Sequence, residues 1–74
     1  MGQVRIEILD EVMTYHPPTE EQIPKYQRVK EAIAEAIKAV IFNCPECADR
    51  TVAIRKLREA RMDANAAIAL NGLI

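Results

Sequence analysis

From Tyr26 onward, apolar residues return every three or four positions: Tyr26, Val29, Ile33, Ile37, Val40 and Ile41. That spacing describes one face of an α-helix. Ala32, Ala34, Ala36 and Ala39 add helix propensity, while Lys30, Glu31, Glu35 and Lys38 take the wetter faces. Upstream, Thr19 and Gln22 form a capping-box pattern, with Glu20 and Glu21 placed where the helix dipole favours acids. The pattern predicts a helix over about 19–43, and the run from Thr19 to Phe42 would measure about 36 Å. Pro24 falls near the fifth helical position. Either the first turn is distorted there, or the regular helix begins at about Pro24.

Asn43-Cys44-Pro45-Glu46-Cys47 interrupts this pattern. Pro45 disfavours helix at Cys44 and can itself start a new one, and Asp49 is a further candidate cap. A second helix is predicted over about 48–70, with Asn71-Gly72 as its stop signal. Its seam is narrow: Ala53, Leu57, Ala60, Ala64 and Ala67, with Ile54 and Ile68 alongside. The expected architecture is all-α, a single domain built on an antiparallel helical hairpin.

Residues 1–13 are harder to assign. Val4, Ile6 and Ile8 alternate as in a strand, whereas Ile8, Leu9 and Val12 recur as on a helix. A short helix is favoured over a strand, and either would offer one apolar face to a neighbour.

Composition then changes the picture. Half of the 74 residues are hydrophobic, but eleven of those are Ala, with one Phe, two Tyr and no Trp. A chain this short buries only about 60% of its unfolded surface, and a seam of Ala adds little area per residue. Two such helices cannot comfortably offset the entropy of ordering the chain. A homo-oligomer is therefore expected, with room for pockets between protomers.

Ten basic and eleven acidic residues leave a net charge of −1. That gives no whole-molecule reason to bind a nucleic acid polymer or a membrane surface. No apolar run approaches the ~20 residues of a membrane span, and the first residues lack signal-peptide character; the cytosol is the expected compartment. Cys44 and Cys47 with the single His16 cannot fill a four-ligand zinc site, so they are read as two thiols in an interhelical turn. A metal shared between symmetry-related chains is the alternative. Catalysis is poorly supported, because His16 has no Ser partner and Gly2 and Gly72 make no phosphate loop. Neither a cofactor nor a metal is expected.

The remaining candidate chemistry is aromatic and basic. In Tyr15-His16-Pro17-Pro18 the two prolines stiffen an extended corner, so Tyr15 and His16 are held in a set direction. Tyr15 offers a face for stacking on a nucleobase. Lys30, with Arg28 near it in sequence, offers charge for phosphate. The plainer reading makes Tyr15 a packing residue, His16 a hydrogen-bonding corner residue and Lys30 one charge on a solvated face. Asn65, polar within an Ala-rich helix, is expected to satisfy an interhelical hydrogen bond. The basic run from Arg50 to Arg61 is read as a wet helix face, or less favourably as a DNA-binding one.

Tyr15-His16-Pro17-Pro18, Gln22, Tyr26, Lys30, Asn43-Cys44-Pro45 and the stretch Glu59-Ala60-x-Met62-x-Ala64-Asn65-Ala66-Ala67-Ile68-Ala69 together resemble a phage hairpin-domain family. That family includes the anti-CBASS sponge proteins and shares its hairpin with the Thoeris-inhibiting sponges. The resemblance covers about 14–71. It implies a compact helical hexamer that sequesters cyclic di- or trinucleotide messengers in the host bacterial cytoplasm, binding them without hydrolysis. It also implies that Tyr15 stacks on the bases, that Lys30 contacts phosphate, and that His16, Pro17 and Pro18 fix the loop. Asp63 stands where many relatives carry Trp, and Leu70 where a basic residue is usual, which puts a separate trinucleotide site in doubt. Two other readings stay open: a sponge for cyclic ADP-ribose isomers, and a protein-interaction hairpin with no nucleotide ligand.

Overall fold

The structure, a computed structural model, describes residues 6–73. A 3₁₀ turn at Ile6–Ile8 leads directly into α1 (Leu9–Met13), so the N-terminal segment is helical as far as it is described. An extended corner follows. The long helices α2 (Ile23–Asn43) and α3 (Ala48–Leu70) then pack against each other as a hairpin, and no strand occurs among the described residues.

The capping box at Thr19 closes a turn of its own before the helix. Gln22 N–H donates to Thr19 Oγ1 (3.2 Å), and Thr19 N–H donates to Gln22 Oε1 (3.1 Å). The regular helix begins at Ile23, which puts Pro24 in the first turn. There its missing N–H has no intrahelical carbonyl to reach. The other end of the Gln22 amide crosses the hairpin, and Nε2 donates to Ile68 O at 2.9 Å. One side chain thus closes the turn that precedes α2 and ties it to the last turns of α3.

At the far end, Cys44 N–H donates to Val40 O and Asn43 Nδ2 donates to Ala39 O, which finishes α2. Cys47 is the N-cap of α3 but makes no side-chain capping bond, and Asp49 sits in the first turn. The helix stops at Asn71, which adopts the left-handed conformation (φ 48°) and donates its N–H to Ala67 O. Gly72 continues with φ 81°, a region open to glycine at little cost.

The interface between α2 and α3 is thin. Val29, Ile33, Ile37 and Val40 are partly buried on α2, facing Ala53, Ile54, Leu57, Ala64 and Ile68 on α3. Ala60 and Ala67, which the Ala seam would place inside, are exposed, and so are all residues from Arg58 to Asp63. No described side chain is fully buried. The accessible surface is 6241 Å², where a compact monomer of 8.3 kDa would expose about 4,600 Å². The radius of gyration is 15.5 Å, against about 11 Å for a compact chain of this length. Phe42 (81% exposed), Met62 (68%) and Ile6 (81%) stand open.

Replacing Gln22 with Ala removes the Oε1 half of the capping box and the cross-hairpin bond, leaving Thr19 N–H and Ile68 O without these partners. Chemical denaturation at fixed protein concentration should show a loss of about 1–3 kcal/mol. An unchanged midpoint would mean that neither bond contributes.

Candidate functional site

The corner between α1 and α2 is organised from the α1 side. Thr14 is extended (φ −74°, ψ 143°), and both its N–H and its hydroxyl donate to Asp10 O, which closes the end of α1. The His16 ring donates from Nε2 to Glu11 O at 2.7 Å. The carbonyl can only accept, so the proton must reside on Nε2. His16 also lies in a concavity with Leu70 and Asn71 at the end of α3, so the corner leans on the C-terminal side of the hairpin. Leu70 offers that concavity an apolar side chain. Between these anchors Tyr15 is 79% exposed and has no hydrogen bond among the described residues. Its ring is held out from the chain on a stiff Pro17-Pro18 backbone, free on the outside.

Two shallow grooves meet beside this corner. One runs from Pro18, Ile23 and Tyr26 to Lys30, Arg61 and Asn65. The other continues along the hairpin, with Ile33, Ile37 and Met62 as its apolar part and Lys30, Arg58, Arg61 and Asn65 as its polar part. Lys30 from α2, with Arg61 and Asn65 from α3, therefore belongs to both. Among the described residues none of the cations Lys30, Arg58 and Arg61 has an ion pair or hydrogen bond, whereas Lys38 and Glu35 pair at 3.3 Å elsewhere on α2. Unpaired cations over an apolar floor suit an anion that also carries flat apolar groups.

The candidate residues are distributed unequally over this geometry. Lys30 is at the junction of the grooves, and Pro18 of the corner lines the first. Tyr15 and Lys30 share no described groove within one chain. Arg28 is exposed and lines neither, since two residues along a helix correspond to about 200° of rotation. Arg58 and Arg61 were legible only as part of a basic run. Their α3 positions opposite Lys30 depend on how the two helices are rotated, which no local signal reports. Asn65 does not make the expected interhelical bond: its Oδ1 is shielded from solvent and has no hydrogen-bond partner.

Cys44 and Cys47 are exposed free thiols at the tip. Among the described residues no cluster of three or more His, Cys, Asp or Glu could hold a metal, and no helix is long and apolar enough to cross a membrane.

The family model described as Acb2/Tad1, hairpin domain, matches residues 5–69. Comparisons with curated proteins and with solved structures return no match.

Because the His16 bond is what ties the corner back to α1, replacing His16 with Ala should loosen that short helix first. Amide hydrogen exchange at 10–15 is expected to accelerate several-fold while α2 and α3 stay protected. Unchanged exchange there would show that the bond does not hold the corner.

Proposed function

The chain belongs to the Acb2/Tad1 hairpin-domain family, and from that premise we propose that it is a phage anti-defence sponge for cyclic oligonucleotides. It binds cyclic dinucleotide messengers of CBASS immunity, with cyclic trinucleotides as further candidates, and holds them intact. The observation that carries this reading is the meeting of Lys30 and Arg61, unpaired among the described residues, in two grooves, one of which reaches Pro18 of the proline-stiffened corner. Phosphate takes the cations and a nucleobase takes an aromatic face, which are the two parts of such a ligand.

In this proposal Tyr15 stacks on a base, Lys30 pairs with phosphate, and His16 with Pro17 holds the loop that aims the ring. Tyr15 and Lys30 line no common groove among those described, and in this proposal a second copy completes the pocket. A symmetric assembly, a hexamer in the family's manner, presents each of these residues several times. Arg28, on the other side of α2, would reach a ligand only through such an assembly. The uncovered apolar side chains and the excess accessible surface support association. No step is catalysed: sequestration needs affinity and slow release, so the messenger leaves chemically unchanged.

Calorimetry against cyclic di- and trinucleotides and cyclic ADP-ribose isomers tests this. Tyr15→Ala and Lys30→Ala should each weaken binding by roughly 10- to 100-fold, the usual worth of one stack or one charged contact. Sedimentation velocity should find their assembly unchanged, and ligand recovered after denaturing the protein should be intact. Parental affinity in both variants would remove this site assignment, and recovery of a linearised product would make the protein a hydrolase.

A further inference from the structure

Lys30 sits at the junction of the grooves, and two α3 side chains, Arg61 and Asn65, line both grooves with it. The two are four residues apart on α3, so they lie on one face of it. Arg61 is exposed and has no acidic partner among the described residues. Asn65 is partly buried, and its Oδ1 has neither solvent nor a hydrogen-bond partner. A shielded acceptor left unpaired costs stability, and proteins keep few of them. One retained at the wall of a basic groove calls for a partner that the free chain lacks.

We infer that Arg61 and Asn65 are ligand-binding residues: Arg61 shares the phosphate with Lys30, and the Asn65 amide hydrogen-bonds the nucleobase. This rests on the cyclic-nucleotide reading and extends its site from α2 onto α3. Turning the amide about its broad terminal torsion swaps its two ends at small cost. The carbonyl can then accept from a base amino group, or the NH₂ can donate to a base carbonyl or ring nitrogen. A base unable to match the amide leaves it unpaired, so Asn65 makes the site discriminate between bases. The guanidinium differs from Lys30 in its planar fork, which can take two phosphate oxygens at once.

The test uses the full chain at fixed concentration, with cyclic dinucleotides of different base composition as probes. Asn65→Leu keeps the branched shape and number of heavy atoms and removes the amide. The free variant is expected to melt about 4–8 °C higher, because the orphaned acceptor is gone, yet to bind its best ligand at least about 10-fold more weakly and to distinguish bases less. Arg61→Gln should also lose about 10-fold or more in affinity with the same assembly mass, and Arg61→Lys should recover part of it. Arg55→Gln, on the same helix but in neither groove, should bind like the parent.

A lower melting temperature together with a smaller assembly for Asn65→Leu would overturn the inference, since the amide would then serve contacts between copies. Parental affinity in Asn65→Leu and Arg61→Gln alongside lost affinity in Tyr15→Ala would overturn it alone. A parent protein that binds no member of the panel would remove the underlying reading and this inference with it.

Discussion

A hairpin of two helices has a single internal interface, and here that interface is made largely of Ala, Val and Ile. This constraint governs the rest of the molecule. No described side chain becomes fully buried, and large apolar groups such as Phe42 and Met62 remain outside. At about 25 cal/mol per Å², the area missing from the interior is the area that would offset chain entropy. The proposed assembly follows from this shortage rather than from any special oligomerisation motif. In that proposed assembly a shared pocket would arise where incomplete surfaces meet.

Within that thin fold, precision at the corner comes from hydrogen bonds and proline rather than packing. Gln22 spends one end of its amide on the capping box and the other on Ile68 O, fixing the base of α2 against the end of α3. His16 fixes the preceding corner to α1 through Glu11 O. Tyr15 stands between the Thr14 and His16 attachments to α1, with its ring outside. A ring already held in place loses less freedom when a base stacks on it, which is the usual advantage of preorganisation. Lys30 and Arg61 have no ion pair among the described residues, so the proposed ligand would displace no such salt bridge on entering.

Much of the scaffold is legible in the chain because it is local. The three- and four-residue recurrence from Tyr26 to Val40, the Thr19–Gln22 box and the Asn71-Gly72 stop all act within a few residues. Residues 6–13 were ambiguous because strand and helix periods overlap over so short a run, and a 3₁₀ turn leading into α1 resolves them. What stayed hidden is what depends on helix rotation. The seam drawn through Ala60 and Ala67 is exposed, and α3 instead packs through Ile54, Leu57, Ala64 and Ile68. The same rotation brings Arg61 and Asn65 opposite Lys30 and leaves Arg28 outside both grooves. The Gln22–Ile68 bond spans 46 residues, beyond any local signal.

The central claim is that an incomplete hairpin becomes whole by association and thereby forms pockets for a cyclic nucleotide. Native mass spectrometry of the protein, alone and with a cyclic dinucleotide, tests both halves together. The account predicts a closed assembly of several copies that gains a small whole number of unmodified ligand masses. A monomer that gains none at saturating ligand would contradict it.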